Sequence, residues 1–398
     1  MYLIGHGHTN TGAIYGAQLL EHRIDFPISP DLGESTIRHQ LVHGKYYDDF
    51  YTSPKSLYEI LNECILFDIV PIINLNAVWW HGKNLPNVIS PSGLAKIAGI
   101  LRDYLKDRGF KKGTAYIEVF NEPGKWLNTQ QVVDYTNAVH NKVGDDFDVI
   151  YGNDEFAMLN WNYLGVNCKA AIQGVHPLTS LGNGSGWDNP KQCFYRIKDW
   201  KTIADINNKM VLGDECGSWF RAYLGDEGHQ INKDIILECK EYEYLGCCIV
   251  SVDVNQQCYN GLLGYRIWTN NYSNIITQNN NFADFINFIK QEGTKMVYNA
   301  PQKLQAIANF LGFTIGNYEP ELPIVTGTGF WQNAGRTHKK AQTLSKASFD
   351  ASMEKLIKMI LKINGEDVLA NFECYYKNDG SWNPNQDEFA KSNPVKGS

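Results

Sequence analysis

Short apolar runs alternate along the chain with longer stretches in which apolar residues return every third or fourth position. The first kind reads as buried strand and the second as amphipathic helix. The run "MYLIG" is followed by a turn-rich stretch, and "LLEHRIDFP" by a loop. In "PKSLYEILNECILFD", Leu57, Ile60, Leu61 and Ile65 fall on one helical face, with Ser53-Pro54 as a helix start. "IVPIINLNAVWW" reads as a buried strand. "SPSGLAKIAGILRDYLKDRG" reads as a helix opened by Ser90-Pro91 and closed near Gly109. The same alternation continues through strand "TAYIEVFNEP", helix "TQQVVDYTNAVHNKVG", strands "FDVIYGND" and "KAAIQGVHP", helix "FYRIKDWKTIADINN" and strand "KMVLGDECGSW". Helix "NKDIILECKEYEYLG", strand "CCIVSVDVN" and helix "NFADFINFIKQEG" complete it.

About eight strands alternating with helices over residues 1–295 predict a parallel α/β sheet, doubly wound or closed into a (β/α)8 TIM barrel. The strand count and a length near the ~250 residues usual for the barrel favour closure. No glycine-rich dinucleotide fingerprint follows any strand. Polar residues crowd the strand ends: His6 and His8, Arg23, Asn74 and Asn76, Asn121 and Glu122, Asp154, His176, Glu215, Asp253 and Asn255. In a barrel those ends meet at one mouth, where the site is built. After about residue 295 the alternation stops. Residues 296–398 read as a small C-terminal extension or domain, with one amphipathic helix in "SFDASMEKLIKMILKING" closed at Gly365.

Composition narrows the function classes. The net charge of −7 argues against nucleic acid or an anionic membrane as partner. Aromatics make up 13% of the chain, which serves either a large core or stacking on sugar faces. Nine cysteines without framework spacing read as reduced, buried thiols. No run approaches ~18 apolar residues, so no membrane insertion is expected. The N-terminus lacks the basic and apolar regions of a signal peptide, which predicts a cytoplasmic protein or one released by lysis or carried on a virion. Nothing in the sequence sets an oligomeric state.

The segment "YIEVFNEPGKW" carries the most chemistry. An apolar strand ends in Asn121-Glu122-Pro123, and Pro123 takes the chain out of the sheet. Downstream, "VLGDECGSW" ends another strand in Glu215. Counted along the chain these are strands four and seven, so both glutamates reach the same mouth. Two carboxylates flanking a cleft are what glycosidic hydrolysis needs, one as nucleophile and one as proton donor. Mutual repulsion favours keeping the proton on one of them. Strand alternation turns Asp214 away from Glu215, and puts Glu118 on the face of Glu122 as filling or as a partner of the acid.

In these residues the chain resembles the retaining glycoside hydrolases of clan A, the family-5-like cellulases and mannanases and their relatives. The resemblance covers roughly residues 1–295. It implies Glu122 as general acid/base, Glu215 as nucleophile and Asn121 as the residue bonding the sugar 2-hydroxyl. It implies a β-linked carbohydrate substrate and no cofactor. Arg23 stands where the clan often keeps an arginine orienting the nucleophile, His176 where a His or Tyr is common, and Asn76 where family-5 enzymes often have a His. Two positions depart from the pattern: "SVDVNQQ" lacks the Trp that often ends strand eight, and Leu178 replaces a frequent Tyr. Trp79, Trp80, Trp126, Trp187 and Trp219 are candidate sugar platforms in their place.

His6 and His8 admit two readings. With His176 and Asp253 they are the residue types of an amidohydrolase-type metal barrel. That class also expects a histidine on strand five, and "VIYGND" offers none. The other reading places His6 or His8 on a sugar hydroxyl at the floor of the site. A third function class is a non-catalytic glycan-binding or structural barrel, against which the intact glutamate pair argues.

Overall fold

A computed structural model describes residues 1–7, 16–24, 27–44, 56–179, 189–218, 225–250 and 280–298, with short pieces beyond. The chain divides into two compact units, Met1–Met296 and Val297–Ser398.

The first unit is a closed (β/α)8 barrel. Its strands are β1 (Leu3–Gly7), β2 (Leu19–Arg23), β3 (Val70–Asn74), β4 (Tyr116–Glu118), β5 (Asp148–Asp154), β6 (Ile172–Val175), β7 (Met210–Ser218) and β8 (Gly246–Val250). Each pairs in parallel with the next, and β8 pairs with β1, which closes the ring. A two-residue strand, Leu178–Thr179, lies beyond β6 and pairs with the end of β7.

The helices follow from patterning and capping. They are α1 (Glu34–His43), α2 (Leu57–Phe67), α3 (Ala77–His81), α4 (Leu85–Val88), α5 (Pro91–Asp107), α6 (Thr129–Val143), α7 (Trp161–Asn167), α8 (Pro190–Ile206), α9 (Gly225–Glu241) and α10 (Asn280–Glu292). Ser90 caps α5, and Gly109 beyond its end adopts a positive φ of 80°. Asn128 with Gln131, and Asn189 with Gln192, form capping boxes on α6 and α8. Such a cap is worth about 1 kcal/mol.

Three helix expectations need correction. Helix α2 begins at Leu57 behind Ser56, which forms a capping box with Glu59; Ser53 and Pro54 lie outside the described residues. The stretch "AVWW" is not strand: β3 ends at Asn74, and Asn76, in the left-handed region, starts α3. Helices α1 and α7 went unread because they are short and, in α1, carry only Ile37, Leu41 and Val42 as buried residues.

Inside the barrel, alternate strand residues stack in layers. One layer is apolar: Leu3, Leu19, Val70, Ile72, Tyr116, Ile150, Ile172, Leu212 and Cys248 form one buried cluster. Two residues further along the strands, the same inward face becomes polar with Glu21, Asn74, Glu118 and Asp214. Outward residues such as Leu20 pack against α2. The seven described cysteines are buried and unbridged.

In the second unit, Thr314–Ile315 and Val325–Thr326 form a two-stranded antiparallel ribbon. The helix expected around "SFDASMEKLIKMILKING" lies outside the described residues.

Candidate active site

The barrel mouth gathers the two glutamates by two different backbone devices. Beyond β4 the chain keeps contact with β5, the Glu122 amide donating to the Asn153 carbonyl at 2.8 Å. Glu122 itself is left-handed, at φ 46° and ψ 53°. That conformation costs a non-glycine residue about 1 kcal/mol or more and is a feature of functional sites. A 3₁₀ turn, Pro123–Lys125, follows at once. Its Gly124 amide donates to Asp154 Oδ2 at 2.7 Å, and a Cβ on Gly124 would lie 2.8 Å from that oxygen. Glycine is therefore required where the turn closes on β5.

Glu215 reaches the mouth through a bulge. Leu212 and Asp214 point inward, so strict alternation would turn Glu215 out. The pairing of β7 with β8 shifts register between Gly213 and Cys216, and the extra residue re-aims the strand. As a result Asp214 and Glu215 both face His176, at 3.5 Å (Oδ2 to Nε2) and 3.6 Å (Oε2 to Nδ1). The expected opposition of Asp214 and Glu215 is thereby corrected.

Arg23, from the end of β2, donates from Nη2 to Glu215 Oε2 at 2.7 Å and from Nε to Glu21 Oε1 at 2.5 Å. All three side chains are nearly sealed from solvent. Asn74 donates to Glu118 at 2.5 Å and to Glu21 at 3.3 Å. Burial first, then neighbouring carboxylates, push Glu21 and Glu118 well above the ordinary carboxylate range. Burial works against a charge on His176, yet Glu215, Asp214 and Glu122 outweigh it and push the imidazole up to about 10. Asp154 is raised to about 7, by burial first, with Glu122 adding to it and His176 opposing.

On the other side of Glu122, Lys125 Nζ donates to Oε2 at 2.5 Å. The same ammonium lies 5.7 Å from the centre of the Trp79 ring. Trp79 meets Trp126 edge-on at 6.3 Å and donates from Nε1 to the Asn121 carbonyl at 3.0 Å. Asn121 is buried, and its side-chain oxygen has no hydrogen-bond partner among the described residues. Trp80 is tied down by a bond from Nε1 to the Ile24 carbonyl.

Of the residues singled out in the sequence, Arg23, Asn121, Glu122, Trp126, His176 and Glu215 come together. Asn76 lies buried at the start of α3, its amide donating to Asn74 Oδ1. His6 does not join them. Leu3 belongs to the interior cluster, so His6 falls on the outer face of β1, where burial alone lowers its pKa to about 3. A floor position for His6, and its use as a metal ligand beside His176, both fail on that parity. His8, Trp187, Trp219 and Asp253 lie outside the described residues. Among the described residues no group of three or more His, Cys, Asp or Glu has the arrangement to hold a metal ion. Glu21 and Lys125 were missed. Period-two spacing before Arg23 would have found the first, and the three-residue step after Glu122 the second.

No family model matches the chain, and no curated protein matches it. Solved structures do. An endo-β-1,4-mannanase from Thermotoga petrophila is 14% identical with a TM-score of 0.48, over 74% of this chain and 77% of that one. An endo-β-1,4-glucanase from Xanthomonas axonopodis pv. citri is 9% identical with a TM-score of 0.47, over 73% and 100%. Cel5A from Thermotoga maritima, solved with cellobiose, is 12% identical with a TM-score of 0.43, over 72% and 96%. Among the described residues no helix is long and apolar enough to cross a membrane.

Proposed function

We propose that the protein is a retaining glycoside hydrolase acting on β-linked poly- or oligosaccharides by double displacement. The observation that carries the reading is the glutamate pair. Two acidic side chains from opposite parts of one barrel are brought to one mouth, each by a departure from regular strand geometry. Glu122 is tied to β5 at the Asn153 carbonyl, and the next carbonyl along, that of Asp154, accepts from the His176 amide. The His176 ring faces Glu215, which links the two carboxylates through neighbouring strands.

In this reading Glu215 is the nucleophile. Arg23 bonds Oε2 and His176 faces it at 3.6 Å, which orients the carboxylate and leaves Oε1 for attack at the anomeric carbon. The bond from that carbon to the leaving oxygen breaks as Glu122 delivers its proton to the oxygen. Water then attacks the glycosyl-enzyme, giving its proton to Glu122 and releasing Glu215. Asn121, with its open side-chain oxygen, is placed to take the sugar 2-hydroxyl, where bonds strengthen in the transition state. Trp126 and Trp79 supply flat apolar surface beside the acid. None of these steps draws on a cofactor.

The test uses aryl β-glycosides of glucose, mannose, xylose and their β-1,4-linked disaccharides. Wild type should release the aryl alcohol, and Glu215→Gln should lose at least ~10³-fold in kcat, in keeping with loss of a covalent nucleophile. A 2-fluoro analogue should add one glycosyl mass to the peptide bearing Glu215. Hydrolysis that survives Glu215→Gln, or silence across the panel, would sink the proposal.

A further inference from the structure

The cations at this site differ in one respect. Arg23 and His176 are sealed in the barrel, with side-chain exposures of 7% and 0%. Lys125 is 35% exposed on the turn after Glu122, at the open edge of the site. Burial works against its charge, but Glu122, then Glu155 and Glu215, more than restore it, so Lys125 is firmly an ammonium.

Its position conflicts with the first step of the proposed reaction. An ammonium 2.5 Å from Glu122 Oε2 is the partner of a carboxylate. A proton on Oε1 leaves that contact in place, but an ammonium beside the carboxyl disfavours its acid form. Moving Lys125 away from Glu122 before glycosidic cleavage favours the acid form, and its return favours the ionised one. Withdrawing the ammonium is easier when a second anion receives it. A receiving anion that arrives with the substrate would couple that movement to binding.

The surroundings indicate where that anion comes from. Lys125 stands over Trp79, a residue 42% exposed. Trp79 is fixed from both sides, by Trp126 edge-on and by its bond to the Asn121 carbonyl. A fixed, exposed indole beside a partly exposed ammonium is suited to a ring with an apolar face and an acidic substituent. A uronic acid has that shape: the pyranose lies against the indole and its exocyclic carboxylate meets the ammonium. Lys125 follows Glu122, which protonates the leaving oxygen, so the acidic sugar belongs to the leaving-group half.

Resting on the glycosidase reading, we propose that Lys125 and Trp79 form a leaving-group subsite for a carboxylate-bearing sugar, and that transfer of Lys125 from Glu122 to that carboxylate readies Glu122 to act as acid. The substrate class is then an acidic β-glycan, cleaved on the non-reducing side of a uronic acid residue. Only an ion pair is exchanged, and the proton on Glu122 comes from solvent.

The experiment compares 3-carboxyphenyl with 3-carbamoylphenyl β-glycosides of the same sugars, which differ in charge at nearly constant size. Wild type should favour the carboxylate by about tenfold or more in kcat/KM, the scale of one charge-assisted hydrogen bond. Lys125→Met should bring the ratio close to one, and Lys125→Arg should retain most of it. A merely structural lysine would lower both substrates together and leave the ratio in place. Equal hydrolysis of the pair by wild type, or a preference that survives Lys125→Met, overturns the subsite and leaves the two-glutamate mechanism standing. Silence on every glycoside overturns the glycosidase reading and this inference with it.

Discussion

Two layers of the same barrel interior, built on the same strands, have opposite chemistry. The lower one, with Leu3, Leu19, Val70, Ile72 and Leu212 among its members, is filled mainly by branched aliphatic side chains, with Tyr116 and Cys248 beside them. The upper one places Glu21, Asn74, Glu118, Asp214, His176 and Arg23 in equal burial. Several of its polar atoms, including both Asp214 carboxylate oxygens and one of Glu118, find no hydrogen-bond partner among the described residues. An apolar layer of this kind stabilises by about 25 cal/mol per Å² removed from water. A polar layer at the same depth costs stability wherever a group is left unpaired. The lower layer holds the barrel closed, and the upper one aims Glu215.

That contrast can be broken from either side. The largest effect is expected at the mouth: Glu122→Gln should lower kcat/KM by about 10²–10⁴-fold on glycosides with poor leaving groups. The loss should be much smaller on 2,4-dinitrophenyl glycosides, which leave without a proton. An equal loss on both would take the acid/base role away from Glu122. Next comes the apolar layer. Ile72→Ala should cost about 2–5 kcal/mol in urea unfolding while kcat per folded molecule stays near wild type. A large fall in kcat would mean the two layers are mechanically coupled.

The last effect concerns pH. Asp154 has its folded pKa raised to about 7 from a usual 3.8. Between those values the folded protein holds a proton that the unfolded chain has lost. Stability from this group is therefore complete below about pH 4 and falls as pH rises toward 7, by about 1.4 kcal/mol per unit. Asp154→Asn should flatten that part of the stability–pH curve, read by urea unfolding at pH 5 and pH 7. It should also lower stability throughout, because the amide cannot accept from both the Gly124 and Glu155 amides. An unchanged slope would assign the pH dependence to Glu21 and Glu118.

Much of the frame was legible because it is written locally. Strand runs and helical periodicity located all eight strands, and the caps at Ser90, Asn128 and Asn189 sit where Ser or Asn precedes an amphipathic run. The Asn-Glu-Pro ending of "TAYIEVFNEP" and the glutamate in "VLGDECGSW" point to the carboxylate pair on which the proposed mechanism rests. Reading failed where a local rule was broken or had two outcomes. "NLNAVWW" is apolar enough to continue a strand, but Asn76 takes a left-handed conformation and starts a helix. His6 looked like a site residue because it ends a strand, yet its parity with Leu3 places it outside. Alternation predicts opposite faces for Asp214 and Glu215, and a register shift brings both to His176.

The amino-acid sequence by itself determined the succession of strands and helices, the apolar interior and the two glutamates at strand ends. These depend on side-chain period and capping, which act over a few residues. Tertiary structure alone decided which atoms meet. Closure of β8 on β1 and of β6 on β7 sets the strand neighbours, and the β7–β8 pairing fixes where the bulge falls. From that follow the Arg23 bridge between Glu21 and Glu215, the double contact of His176, and a Gly124–Asp154 bond that sets Lys125 beside Glu122 and Trp79. Pairing between strands distant in sequence is not encoded in either strand alone, because register is a property of the pair.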